Sequence, residues 1–199
     1  MEIHSAVVGT MENNAYLLIE GGQGLLIDAA ADPLALLAMI GDTPVEALVT
    51  THRHRDHVQA LAAVASHTGA RLVAGAPDAD AIEGETGVTI DDRVWDGDTV
   101  RVGDVELEVI GLVGHTPGSI ALAYTPADGP VHLFTGDSLF PGGVGKTGST
   151  DDFTRLLDDV EAKLFDRFGD DTVVQPGHGL PTTLGAERPH LAEWRERGW

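Results

Sequence analysis

The segment His52-Arg53-His54-Arg55-Asp56-His57 places four potential metal ligands within six residues, directly after the apolar run Val45 to Thr50. No other feature constrains the fold as strongly. Side chains alternate along an extended segment, so His52 and His54 point the same way. Asp56 and His57 then fall at the start of a following helix and face a neighbouring point. One short loop, fed by a rigid strand, can thus serve two metals about 3.5–4 Å apart. Arg53 and Arg55 alternate with these residues, point away from them, and are expected to anchor the loop to acidic neighbours. The chain contains no cysteine, which excludes disulfides, thiolate nucleophiles and sulfur-ligated metals. Any metal must therefore be held by His, Asp or Glu.

Three further candidates lie downstream in tight-turn settings: His115 in Gly114-His115-Thr116-Pro117-Gly118, Asp137 in Gly136-Asp137-Ser138, and His178 in Gly177-His178-Gly179. In each an apolar strand ends beside glycine, which lets the backbone turn sharply and approach closely. Strand ends opening on one edge of a sandwich can assemble a site from distant sequence. His4, His67, His132 and His190 lack this setting and read as ordinary; His67 suits a helix C-terminus.

Around these motifs the pattern is mixed α and β. Ala15 to Glu20 and Leu25 to Ile27 flank glycines and read as a hairpin. Asn13, Asn14 and Tyr16 lie on it and could border the site, although turn preference accounts for the asparagines equally well. Val45–Thr50, Arg71–Ala74, the alternating stretch around Val105, Leu107 and Val109, Ser119–Tyr124, Val131–Thr135 and Thr172–Gln175 read as strands. Helices are expected at Val58–His67, at Asp151–Phe165 with Ser149 or Thr150 as cap, and at Glu187–Arg197. Trp194 and Trp199 are placed to pack or to mediate association. With 199 residues, 42% of them hydrophobic, the chain can bury one well-packed core, so a single domain spanning residues 1–199 is expected.

Together the motifs resemble the metallo-β-lactamase superfamily: Thr51-His52-Arg53-His54-Arg55-Asp56-His57 is its His-x-His-x-Asp-His signature, and the runs around His115, Asp137 and His178 follow in the family order. The resemblance covers about Asn13 to Arg188. It implies an αββα sandwich of two mixed sheets flanked by helices, with the site at one edge. It implies that His52, His54 and His115 hold one metal, that Asp56, His57 and His178 hold a second, and that Asp137 bridges them. It also implies that Asp28 hydrogen-bonds near the ligand loop and fixes imidazole orientation. Imidazole and carboxylate ligands suit zinc, and also iron or manganese; two divalent ions, zinc by default, are the expected cofactors.

The run from Gly136 to Lys146 resembles the glyoxalase II branch, which hydrolyses hydroxyacyl-glutathione thioesters, and Lys146 matches a position that binds the carboxylate of the thiol carrier. Gly148 stands where that branch carries an aromatic residue, and Leu180 follows Gly-His-Gly where a tyrosine is often near. The branch's separate C-terminal helical substrate domain is not expected here. The reading is a thioester hydrolase with a metal-bridging hydroxide as nucleophile and a carrier smaller than, or different from, glutathione. Asp56 is expected to orient that hydroxide or move its proton as well as to ligate. The alternatives are a mononuclear iron persulfide dioxygenase, in which the equivalents of His52, His115 and Asp137 would suffice, and a lactonase or other small ester or amide hydrolase. Metal analysis with an oxygen-uptake assay separates the first of these.

Charge and hydropathy narrow the partners. A net charge of −20 repels phosphate backbones, so a small-molecule substrate is expected and nucleic acid is not. No run is apolar enough to span a bilayer, and Met1 to Tyr16 lacks the pattern of a secretion signal. The expected setting is cytoplasmic, without membrane attachment; the sequence leaves the oligomeric state open.

Overall fold

The structure, a computed structural model, describes residues 1–198. In chain order it runs β1 (Glu2–Val8), β2 (Asn13–Glu20), β3 (Gln23–Ile27), α1 (Pro33–Ile40), β4 (Val45–Thr50), α2 (Leu61–Thr68), β5 (Arg71–Gly75), α3 (Ala76–Thr86), β6 (Asp92–Val94), β7 (Thr99–Val102), β8 (Val105–Gly111), β9 (Ile120–Tyr124), β10 (His132–Gly136), β11 (Leu139–Phe140), β12 (Gly143–Val144), α4 (Thr150–Val160), β13 (Val173–Pro176), β14 (Thr182–Thr183), α5 (Leu184–Glu187) and α6 (Leu191–Arg197).

Two six-stranded sheets form, in the orders β1-β2-β3-β4-β5-β6 and β14-β13-β10-β9-β8-β7. Both are mixed. In the first, β3, β4, β5 and β6 are parallel and the hairpin strands antiparallel. In the second, only β10 and β13 are parallel neighbours. The apolar side chains sort into three layers. Tyr16, Leu18, Leu25, Ile27, Val49 and Val73 of one sheet meet Val100, Leu107, Val109, Ile120, Leu122 and Phe134 of the other. The alternate positions Leu17, Leu26, Leu48 and Leu72 pack outward against Leu36 of α1, Val64 of α2 and Ile82 of α3. Behind the second sheet, Ala121, Leu133 and Val174 pack against α4 and Trp194 of α6. Each sheet is thus buried on both faces, which explains why its central strands read as unbroken apolar runs. This is the αββα sandwich.

Most expected strands form close to where the apolar runs place them. The helices differ more. Helix α2 begins at Leu61, not Val58, because Arg55–His57 close a tight 3₁₀ turn first and the Ala60 N–H donates back to Ala29. The Asp151–Phe165 helix forms as α4 followed by a widened turn at Glu161–Phe165. Phe153, Leu156, Leu157 and Val160, spaced i, i+3, i+4, i+7, give α4 its buried stripe. Ser149 is its cap, accepting from Asp152 N–H at 3.1 Å. Ser149→Ala should lower stability by about 1 kcal/mol, read as a shifted urea midpoint with unchanged slope. The last expected helix is broken into α5, a 3₁₀ turn at Arg188–His190 and α6; Pro189 supplies no N–H there. Trp194 is buried, and Trp199 lies outside the described residues. Among the described residues no helix is long and apolar enough to cross a membrane.

Candidate metal centre

Strand direction brings the candidate residues together. β3 and β4 are parallel, so Asp28, just after β3, and the His52–His57 loop, just after β4, emerge at the same edge. β2 runs antiparallel to β3, so its first residue, Asn13, starts there too. In the facing sheet β8, β10 and β13 all run one way, and their ends deliver His115, Asp137 and His178. The edges are stitched by Ile120 N–H to Thr51 O at 2.9 Å and Asn14 N–H to Gly177 O at 2.7 Å.

All seven expected ligands converge. Donor atoms of His52, His54 and His115 lie within 4.8 Å of one another, as do those of Asp56, His57 and His178, and those of His52, His57 and Asp137. His52 Nε2 faces His54 Nδ1 at 3.1 Å, and His57 Nε2 faces His178 Nε2 at 3.2 Å.

Hydrogen bonds on the far side of four of the five rings set their tautomers. His57 Nδ1–H donates to Asp28 Oδ2 at 2.8 Å, His115 Nδ1–H to the Lys146 carbonyl at 2.6 Å, and His178 Nδ1–H to the Met11 carbonyl at 2.9 Å. The Thr51 hydroxyl donates to Asp28 Oδ2 at 2.8 Å, so it accepts from His52 Nδ1–H at 3.0 Å. Four Nε2 lone pairs are thereby turned inward, the orientation metal-binding imidazoles need. Inside the cluster, His115 Nε2 and Asp137 Oδ1 are buried without a hydrogen-bond partner. Buried polar atoms are normally satisfied, and a divalent cation would satisfy both. The residues present therefore fit divalent metal binding.

The electrostatics favour neutral rings at His52 and His115 and a proton on His57 that a bound cation would have to displace. Burial, reinforced by His57, pushes His52 well below the usual histidine range, and burial also lowers His115; both are held as neutral donors. Burial opposes protonation of His57, yet the Asp28 and Asp137 carboxylates outweigh it and raise its pKa to about 10. Burial likewise opposes ionisation of Asp137, but the neighbouring His178 and His57 outweigh it and hold the carboxylate far below its usual range. At Asp56, burial is outweighed by the Asn13 amide and His57, and the pKa falls.

Asp28 sits as expected. It accepts from Thr51 N–H at 2.7 Å besides Thr51 Oγ1 and His57, and it does so at φ +58°, a conformation that asparagine and aspartate tolerate best. Arg53 and Arg55 point away, toward Asp78 and Glu85. Asn13, Asn14 and Tyr16 border the site, but from strand β2 rather than a turn. Asn13 Nδ2 donates to Asp56 Oδ2 at 2.8 Å, and Asn14 Nδ2 and Tyr16 OH both donate to the Pro176 carbonyl.

Sequence reasoning passed over Asp78 and Arg155. Asp78 is fully buried and accepts from Arg53 N–H, Thr116 Oγ1 and Gly118 N–H. Its neighbours in sequence give no hint of this; only the contrast of a buried acid in a chain rich in exposed ones could have drawn notice. Arg155 lines a cleft of about 320 Å³ with Arg53, His115, Gly148 and Asp152. Lys146 is exposed and lines a second cavity, of about 540 Å³, with Phe140, Val144, Phe153 and Arg197. Of the chain's 12 Lys and Arg residues, these two are the ones without an acidic partner among the described residues.

Comparison with known proteins agrees with this geometry. The description "Metallo-beta-lactamase superfamily" matches residues 8–178. The chain is 35% identical over 189 residues to the hydroxyacylglutathione hydrolase of Polaromonas sp., covering 90% of this chain and 69% of that protein. ETHE1 from Myxococcus xanthus superposes with a TM-score of 0.81 at 27% identity, covering 98% of this chain and 85% of that one. TTHA1623 in a di-iron-bound form gives a TM-score of 0.76 at 29% identity, over 93% of this chain and 96% of that one. Because the family match runs from the end of β1 through the last of the converging histidines, the chain belongs to the metallo-β-lactamase superfamily.

Proposed function

We propose that the protein is a two-metal hydrolase of small anionic thioesters of the hydroxyacyl-thiol type. The observation that carries this reading is the inward set of imidazole nitrogens around Asp137, four of the five rings fixed from behind. His52, His54 and His115 would hold one divalent cation and Asp56, His57 and His178 the other, with Asp137 between them. When bound, such ions supply a water that deprotonates near neutral pH and polarise the carbonyl it attacks. Zinc is the default by ligand chemistry; the di-iron form of a similar structure makes iron the first alternative.

The chain's own residues supply orientation and recognition. Asp56, steadied by Asn13, would orient the attacking water or accept its proton. A thiolate leaving group needs no separate proton donor. The thioester reading is supported by the similarity to a hydroxyacylglutathione hydrolase. Arg155 lines the cleft of His115, and Lys146 is the residue whose carbonyl backs that ring; the lack of acidic partners for both in a chain of charge −20 leaves them open to an anionic substrate group. Exposed Met11 and Leu180 add an apolar rim beside His178.

The test is metal analysis of the purified protein, with a panel of hydroxyacyl thioesters on glutathione and smaller thiols, followed by thiol release and oxygen uptake. Two metal equivalents with thiol release and no oxygen uptake support the reading. One iron equivalent with oxygen uptake replaces it with an oxidoreductase, and cleavage of lactones alone replaces thioester by ester hydrolysis. Within the reading, Lys146→Glu and Arg155→Glu should each raise KM for an anionic thioester about tenfold and leave kcat within twofold. The effect should shrink as salt screens the charges, and a neutral thioester should show none of it.

A further inference from the structure

We propose that the two halves of the metal centre are braced separately, by Asp78 for the half containing His52, His54 and His115, and by Asn13 for the half containing Asp56 and His178. The proposal rests on the two-metal reading above and adds the positioning residues that make the halves independent.

Asp78 lies in the first turn of α3, fully buried. Its carboxylate reaches two loops from opposite sheets. Oδ2 accepts from Arg53 N–H at 3.0 Å, between His52 and His54, and from Thr116 Oγ1 at 2.6 Å, next to His115. Oδ1 accepts from Gly118 N–H at 3.0 Å. Because the Thr116 hydroxyl donates to Asp78, it accepts from Ser119 Oγ at 2.6 Å, which fixes the turn beyond His115. The backbones approach so closely that a Cβ on Gly118 would stand 2.8 Å from the Asp78 Cβ. One carboxylate therefore sets the distance between the two loops that carry the three-histidine group. No bond of Asp78 reaches Asp56, His57 or His178.

Asn13 has the complementary reach. Its side-chain amide donates to Asp56 Oδ2 at 2.8 Å and stands 3.3 Å from His178 Nε2, while its backbone pairs with His178. It bonds to Asp56 at the far end of the β4 loop from Arg53, and to none of Arg53, Thr116 and Gly118, the residues that Asp78 holds. Asp28 differs from both braces, since through Thr51 and His57 it serves the two halves at once. Partners behind metal ligands typically control affinity by 10–100-fold, and here each partner's contacts stop at the boundary between the halves.

The experiment titrates metal-free protein with Co²⁺, following the visible absorption bands and counting bound metal. His115→Ala and His178→Ala provide reference spectra for loss of each half. Asp78→Asn keeps the shape but replaces one acceptor oxygen with an amide donor. It should weaken one equivalent about 10–100-fold and leave a spectrum matching that of His115→Ala. Asn13→Ala should weaken the other equivalent by a similar factor and match His178→Ala. Thr116→Val, which deletes a single hydrogen bond to Asp78, should reproduce the Asp78→Asn spectrum with a smaller loss, and it stands in for that variant if Asp78→Asn does not fold. Parallel loss of both equivalents in each variant, or no change in either, overturns separate bracing while leaving the two-metal reading intact. Failure of the unaltered protein to bind two Co²⁺ overturns both.

Discussion

Gly177→Ala is expected to abolish metal binding and reduce hydrolysis at least a hundredfold, although the change adds only one methyl group. A Cβ at this position would overlap Asp137 Oδ1 and stand 2.8 Å from His57 Cε1. It would occupy the space in which the central carboxylate and the most buried histidine face each other. The backbone cannot retreat easily. Gly177 N–H donates to Gly136 O at 2.8 Å, and its carbonyl accepts from Asn14 N–H at 2.7 Å, so the peptide is clamped between the sheets. Overpacking a rigid site costs about 1–3 kcal/mol in stability, which a folded protein of ordinary margin survives. The expected result is a folded, metal-free protein, checked by circular dichroism together with metal analysis. Gly179→Ala is the control: nothing lies within 4 Å of its Cβ position, and only its φ of +75° resists the change. Retention of two metals and full activity in Gly177→Ala would show that the cradle is looser than its packing.

Asp28→Ala should have the second largest effect, and it should strike stability and metal together. The carboxylate is buried and takes three hydrogen bonds, from Thr51 N–H, Thr51 Oγ1 and His57 Nδ1. Each buried donor left without an acceptor costs about 1–3 kcal/mol, and alanine at φ +58° adds strain. A loss of about 4 kcal/mol or more is expected in urea unfolding. Metal affinity should fall at both positions, since Thr51 also orients His52. Asp28→Asn tolerates the backbone but lacks the charge that stabilises His57–H, and should keep the fold while weakening metal. If Asp28→Ala were as stable as the parent and bound two metals, the tautomer argument for His52 and His57 would fail.

How much of this was legible beforehand depended on how local the physics is. The central strands were readable because burial on both faces leaves an apolar run. The edge strands β1, β6 and β7 were missed because their exposed faces dilute that signal. Helix α1 was missed because Pro33 to Ile40 is apolar nearly all round and shows no 3.6-residue stripe. Helix α3 was missed because Ile82 is its only large apolar residue, so it shows no apolar stripe, and Pro77 and Gly84 read as breakers. The seven converging residues were legible because each carries its own local signature, a strand end beside glycine or the dense His52–His57 run. The braces were not. Asp78 acts on residues 25 and 38–40 positions away, and Asn13 on residues 43 and 165 away. Only the folded register joins them, and a side chain whose work lies wholly in distant partners leaves no pattern around itself.

The His52–His57 cluster hangs from one sheet, whereas His115, Asp137 and His178 hang from the other. Cations shared between them would act as a clasp at the open end of the sandwich. Such a clasp cannot close on the first sheet alone: the loop after β4 is complete by residue 57, yet the facing residues begin at His115 and end only with His178. During synthesis the early histidines would wait for the second sheet, and the full set would assemble only once His178 has emerged. Loading is then a late event that certifies correct sheet pairing, and any injury that parts the sheets would also release the ions.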